Sequence, residues 1–342
     1  MAELGHRTLL VDLDPQSNLT LFGLTEDELG GIWQDEEPFI DDYEAASKRT
    51  APSDLAKLTA AQRSIHYLLK PTEDGTGEPT AQSTPVQVHP NLGIIPGRLT
   101  VHMFEERLAS RWGEAYRGDP YALRVITRIR KLCEEYAAAR DYEFVIIDTS
   151  PSLGVLNKVI ISTVDGFLVP CMPDMFSLYG IRNIGKSLAT WKRDFQTMWG
   201  LLSDAKRLGF PAKFVQFLGF TIYKAKKYST PGNPWNLAKA QYNFARNIPD
   251  TIRTYIPPDT YTHLDGALLQ EPIGGTSVMH DHMTMANMAQ KYKRPIWLVP
   301  SCGTLDAEDR GTIFGNRGNY EVTKHGYHTF ALDLLTRLAT LA

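Results

Sequence analysis

Two short runs of apolar residues, each ending in aspartate, stand out along the chain: RTLLVDLDPQSNLT at 7–20 and YEFVIIDTSPSL at 142–153. An apolar run without alternation marks a parallel strand covered on both faces, so strands are expected over 7–12 and 143–148. NLGIIPG at 91–97 reads as a short strand ended by a Pro-Gly turn. Over 121–139, Leu123, Ile126, Ile129, Leu132, Cys133 and Tyr136 recur at helical spacing and form one apolar stripe. The same reading predicts helices at 60–69, 154–163, 177–193 and 328–342, and strands at 165–170, 214–223 and 295–300 (PIWLVP). Residues 26–50 are dense in Asp and Glu with few core candidates, and 70–90 carry Pro, Thr, Gly and Ser. The segment 26–90 is therefore expected to be a solvated insertion within one domain spanning 1–342. Strands alternating with helices predict an α/β fold, a mostly parallel sheet flanked by helices.

Composition narrows this picture. The chain has 342 residues, 43% hydrophobic and 22% charged, with a formal net charge of −3. A sizeable core can form, and a protein coated in basic charge is excluded. Three scattered cysteines, Cys133, Cys171 and Cys302, form no C-x-x-C pair; they read as reduced thiols of a cytoplasmic protein, without a zinc ribbon or disulfide framework. No apolar run is long enough to span a bilayer. The opening MAELGHRTLLV lacks the basic flank and long apolar stretch of a signal peptide. The closing helix, FALDLLTRLATLA, has only Arg337 as a basic residue near its apolar face, which favours packing against the sheet over a membrane surface.

In open α/β sheets, ligands gather at the carboxyl ends of the strands. Asp12, Asp14 and Asp148 all fall there. Hard Mg²⁺ prefers oxygen donors and keeps several waters, so a few carboxylates beside substrate phosphates suffice to hold it. A carboxylate nearby can also orient a water for in-line attack on phosphorus.

These residues resemble a known family. VDLDPQSN is similar to the second signature of the ParA/MinD-type deviant Walker A ATPases, and YEFVIIDTSPSL to their Walker B strand and switch loop. VPCMPDMFSLYGI at 169–181, FLGFTIY near 218 and MTMANMAQKYKRPIWLV at 283–299 follow in family order, closest to the ParA partition branch. The resemblance implies ATP and Mg²⁺ as cofactors. It gives Asp14 the role of orienting the attacking water, Asp12 that of supporting the Mg²⁺ site, and Asp148 that of holding the ion through a water. Gln16, Ser17 and Asn18 would form the first switch loop; Thr149, Ser150, Pro151 and Ser152 the second. Ser17 stands where the family often has glycine. The resemblance further implies an ATP-dependent homodimer, non-specific DNA binding, a ParB-like partner protein, and a bacterial, nucleoid-associated, cytoplasmic setting without a membrane partner. A non-catalytic remnant that binds DNA or a partner, and a MinD-like membrane-positioning ATPase, are the alternatives.

The same resemblance predicts a KGGxGKT loop one helix ahead of VDLDPQ, cradling phosphates in backbone N–H groups. MAELGH resembles the end of the helix that follows such a loop, so the chain reads as lacking the first strand and the phosphate loop. The loss of a central strand would leave backbone groups of its neighbours unpaired. Neither GIRNIGKS at 180–187, within a predicted helix, nor GGTS at 274–277, without a lysine, substitutes for it. Two basic clusters are candidate DNA contacts: Lys224, Lys226 and Lys227 in KAKK, and Lys291, Lys293 and Arg294 in KYKR. His280 and His282 in VMHDH are two apart, unlike ligands on one helix face. Met279, Met283, Met285 and Met288 read as core packing.

Overall fold

The computed structural model describes every residue except 79–80, 208–209, 228–231 and 342. In chain order the elements are β1 (Thr8–Asp12), α1 (Asn18–Gly23), α2 (Glu26–Asp41), α3 (Tyr43–Arg49), α4 (Pro52–Ala60), α5 (Ile65–Asp74), β2 (Val86–His89), β3 (Leu92–Ile95), α6 (His102–Ala115), α7 (Pro120–Arg140), β4 (Phe144–Asp148) and α8 (Val155–Thr163). They continue through β5 (Gly166–Cys171), α9 (Met175–Leu201), α10 (Asp204–Arg207), β6 (Gln216–Ile222), α11 (Lys239–Ala245), α12 (Ile248–Tyr255), α13 (Gly266–Gln270), α14 (Thr284–Lys291), α15 (Ala307–Gly315) and α16 (Arg317–Ala339). Where one domain was expected, the chain groups into two compact units: Met1–Thr163 with Asp194–Ala212, and Val164–Arg193 with Lys213–Ala342.

The first unit is built on a four-stranded sheet in the order β2-β3-β1-β4. β1 is parallel to β3 (Thr8↔Leu92 to Val11↔Ile95) and to β4 (Thr8↔Phe144 to Asp12↔Asp148), and β2 closes the sheet antiparallel to β3. Leu9 and Val11 are fully buried, as the unbroken apolar run requires. β4 is different. It is the last strand in the order of this four-stranded sheet, and Ile146 is 41% exposed although its sequence reads as a central strand. The stripe on α7 is buried as expected, from Leu123 to Tyr136.

The segment 26–90 is not a solvated insertion. Leu29, Ile32, Phe39 and Ile40 on α2 are buried at helical spacing. Leu29 and Ile32 pack with Leu24 and Val86, and the rings of Phe39, Tyr43 and Tyr67 meet at centroid distances of 5.6–5.8 Å. The acidic residues that disguised this stripe have other work. Glu26, Asp27 and Glu28 occupy the first turn of α2, where the helix dipole favours anions, and Thr25 and Glu28 form a reciprocal capping box. Glu36 is fully buried and accepts from the N–H and hydroxyl of Ser64, both at 2.6 Å. The loop expected over 70–90 begins later, because α5 runs to Asp74, and 86–89 is β2. Residues 79–80 lie outside the described part.

The second unit holds the parallel pair β5 and β6. The expected strand at 295–300 is instead a 3₁₀ helix, Ile296–Ser301. Pro295 and Pro300 offer no N–H to a strand ladder, and Ile296 and Val299 turn onto Ala289, Leu305, Ile313 and Tyr320. Met285 and Met288 join that cluster and Met279 is buried, but Met283 is 69% exposed, so the methionine stripe is only partly core.

α16 packs on β6, as the scarcity of basic residues implied, and Arg337 itself is the staple. Only 1% exposed, it donates to the carbonyls of Leu218 (3.1 Å), Leu268 (2.9 Å) and Glu271 (3.3 Å) and pairs with Asp333 at 3.0 Å. Gly219 makes room for it. Its φ of +126° lies where side chains are strained, and a Cβ there would come within 2.5 Å of the guanidinium. Replacing Arg337 with Met removes the charge and strands three carbonyls and a carboxylate. We expect Arg337→Met to cost about 3–5 kcal/mol in urea unfolding, and a loss under about 1 kcal/mol would contradict the staple.

Candidate functional site

The register Asp12↔Asp148 sets two carboxylate-bearing residues side by side at the carboxyl ends of β1 and β4. Asp14 follows one turn later, and Leu13 N–H donates to the Asp148 carbonyl at 2.9 Å, tying the two strand ends together. All three acids predicted from the sequence therefore share one rim of the first unit.

Their environments differ. Asp12 is fully buried and both of its oxygens are occupied: Oδ1 accepts from Asp14 N–H (3.2 Å), and Oδ2 from the N–H (2.9 Å) and hydroxyl (2.6 Å) of Thr20. The Thr20 oxygen in turn accepts from Gly97 N–H at 2.7 Å. Asp12 thus joins β1, α1 and the end of β3, a supporting position behind the rim. Burial pushes its carboxyl above the usual carboxylate range, against the pull of the Thr20 and Asp14 hydrogen bonds. Asp14 is 7% exposed. Its Oδ1 accepts from Gln16 N–H at 3.0 Å and its Oδ2 lies 3.5 Å from the Asn18 amide nitrogen. Asp148 is half-buried; burial raises its pKa, and the neighbouring charges of Asp12 and then Asp14 raise it further.

The first loop is tight. Ser17 N–H donates to the Asp14 carbonyl at 2.8 Å, and Ser17 adopts a left-handed conformation, φ 51° and ψ 36°, before α1. A glycine would sit there without strain, so serine at this turn is costlier than its small size suggests. Gln16 and Asn18 are exposed. In the second loop Thr149 and Ser150 are half-buried while Pro151, Ser152 and Leu153 are exposed. Sequence reasoning missed Thr20, which organises Asp12, and also Glu105 and Asn157, which hold the second loop. Asn157 had one signal, a lone amide within the apolar run of α8; Glu105 had none.

The donor set at the rim is all oxygen, which suits Mg²⁺. Among the described residues no three His, Cys, Asp or Glu side chains are grouped to hold a metal ion. His280 and His282 form no such group either. The G-K-S of 185–187 lies inside α9. The GGTS turn directs Gly274 N–H at the Asp333 carboxylate, 2.7 Å away, an arrangement that repels phosphate.

The basic clusters divide. Lys224, Lys226 and Lys227 are exposed on a fixed backbone, with Lys226 N–H bonded to Gln241 Oε1 at 2.7 Å. Lys291 is engaged by Asp306 (2.6 Å) and Asp309 (2.7 Å), Lys293 is half-buried and Arg294 is exposed.

Known proteins resemble this chain. Residues 1–198 match the AAA_31 family model, described as an AAA domain. An uncharacterised protein of Methanocaldococcus jannaschii is 26% identical over 67% of this chain and 66% of its own length. The chromosome partitioning protein ParA of Myxococcus xanthus is 25% identical over 61% of this chain and 54% of its own. The chain spans less than two thirds of the length of these curated relatives. Among solved structures, protein DIP2308 of Corynebacterium diphtheriae superposes with a TM-score of 0.58 at 19% identity, covering 87% of this chain and 90% of that one. The ParA of pNOB8 gives 0.50 at 16% identity, covering 98% and 90%. The chain belongs to the AAA_31 family and is of the ParA/MinD type. Among the described residues no helix is long and apolar enough to cross a membrane.

The raised pKa values of Asp12 and Asp148 carry a sign. A carboxyl whose folded pKa exceeds its unfolded one stabilises the fold below about pH 4 and loses that contribution as pH rises through the folded value. Without added metal, Asp148→Asn should therefore gain about 0.5–1 kcal/mol at pH 7, typical of relieving a strained site. The gain should shrink towards pH 4. Thermal melts at both pH values check this, and destabilisation at pH 7 would contradict it.

Proposed function

We propose that this chain is the core of a partition-type ATPase that uses Mg·ATP to form a homodimer on DNA, with a ParB-like partner stimulating hydrolysis. The observation that carries the reading is the register Asp12↔Asp148, which puts the β1 and β4 carboxylates at one rim with Asp14 beside them. In this reading Asp148 holds Mg²⁺ through a water. Mg²⁺ would neutralise the charge that develops on the transferred phosphoryl group. Asp14, with both oxygens oriented by the turn that follows it, receives the proton of the attacking water. Asp12 supports the site from behind by fixing β1 to α1. Gln16, Ser17 and Asn18 form one loop facing the nucleotide, and Thr149, Ser150 and Pro151 the other.

A second reading, a binding protein without turnover, is favoured by two placements: the G-K-S sequence is wound into α9 and the GGTS turn faces a carboxylate. Phosphate binding would then need a cradle outside these residues. We expect calorimetric titration of the 342-residue chain with Mg·ATP to give a Kd weaker than about 100 μM, less than roughly 5.5 kcal/mol of binding. Low-micromolar affinity would overturn this expectation. Hydrolysis that appears when a strand and glycine-rich loop are joined ahead of Met1, and that is lost in Asp14→Asn, would favour the ATPase over the binding protein.

For DNA, the free cluster is the better contact. Charge reversal at Lys224, Lys226 and Lys227 together should weaken duplex binding about tenfold or more near 50 mM salt and flatten its salt dependence. Lys291→Glu, in a residue already engaged by two carboxylates, should change it less than about twofold. Gel shifts across a salt series read both.

A further inference from the structure

The loop joining β4 to α8 is held by side chains outside it. Asn157, within the first turn of α8 and buried to 3% exposure, donates from Nδ2 to the carbonyls of Ser150 and Ser152, each at 2.6 Å. Glu105 on α6 accepts from Leu156 N–H at 3.2 Å and fixes the start of α8. Gly154 permits this approach, since a Cβ there would overlap Glu105 Oε1. The amide orientation of Asn157 follows from its partners, because turning the oxygen towards two carbonyls would be repulsive.

We infer that Asn157 is a latch: a positioning residue that holds the 149–153 loop in one arrangement beside Asp148, so that this loop moves by releasing a single amide. Asn157 does not act as a helix cap, because it engages carbonyls that precede the helix rather than the free N–H groups at its start. Among the described residues little else holds the loop beyond the Thr149 N–H bond to the Asp148 carboxylate. Pro151, Ser152 and Leu153 are exposed, Leu153 to 45%, and the remaining hydrogen bonds are local, between the hydroxyls of Ser150 and Ser152 (3.0 Å) and from Gly154 N–H to Ser152 (3.4 Å). A segment with so few buried contacts opens easily unless pinned. The latch is also finely balanced. Asn157 Oδ1 is buried without a donor among the described residues, and that unmet acceptor offsets part of what the two Nδ2 bonds contribute. A latched state only slightly favoured over a released one can be shifted by a ligand that touches the loop.

The latch rests on geometry. Its role in turnover rests on the ATPase reading above. Asn157→Asp keeps the shape but turns a carboxylate towards two carbonyls, and Asn157→Ala removes the donors without burying a charge. Hydrogen exchange on the full chain without nucleotide should show amides 152–154 exchanging about tenfold faster in both variants, with β1 and β4 unchanged. Unchanged exchange at 152–154, or acceleration spread evenly through β1 and β4, would overturn the latch. If Asn157→Asp does not fold, Asn157→Ala decides alone. In any form of the chain that hydrolyses ATP, Asn157→Ala should change kcat about fivefold with KM altered less than twofold, and an unchanged kcat would overturn the positioning role. If no form turns over ATP, the ATPase reading fails while the exchange result still decides the latch.

Discussion

The rim of the first unit depends on a carboxylate that faces no solvent. Asp12 accepts from Asp14 and twice from Thr20, whose oxygen accepts in turn from Gly97. This relay fastens three separate segments, the tip of β1, the second residue pair of α1 and the turn beyond β3, to one point. Hydrogen bonds to a charged acceptor are about twice as strong as neutral ones, and here they offset the cost of burying the acid. Asp14 can be held in a fixed direction because the residue two before it is immobile. Burial first, and the charges of Asp12 and Asp14 after it, hold the proton of Asp148 more tightly than that of an ordinary carboxylic acid.

Much of this was legible from the chain alone, for a physical reason. A strand covered on both faces must be apolar throughout, so TLLVD and FVIID declare themselves, and an aspartate at the end of such a run has few places to be but the rim. Elsewhere burial and local composition disagree. The helix over Glu26–Asp41 looks solvated because its acidic residues are prominent, yet all but the buried Glu36 cap or face outwards while Leu29, Ile32 and Phe39 face in. PIWLVP looks like a strand because its residues are apolar, and the prolines at its ends decide otherwise. The largest surprises are long-range: Arg337 meeting Leu218 across 119 positions, and Glu105 meeting Leu156 across 51. No local pattern encodes such meetings. They exist only once the elements have packed.

The two units manage polar burial in the same way. Arg337 in one and Glu36 in the other are charges enclosed almost completely, and each adds backbone or hydroxyl partners to an opposite charge, Asp333 for Arg337 and Arg98 for Glu36. Distributing a charge over several dipoles fixes geometry more tightly than a single ion pair, because every partner must be in place at once. Glu36 positions the start of α5 against α2, and Arg337 positions α16 over β6. Each is a keystone whose removal affects several segments together.

β4 has a consequence of another kind. It ends the sheet of the first unit beside the exposed side chain of Ile146, and FVIID carries none of the lysines or prolines that mark a solvent-facing sheet border. A strand that ends a sheet leaves one row of N–H and C=O groups for another segment to pair, so a border this apolar is one made to be covered.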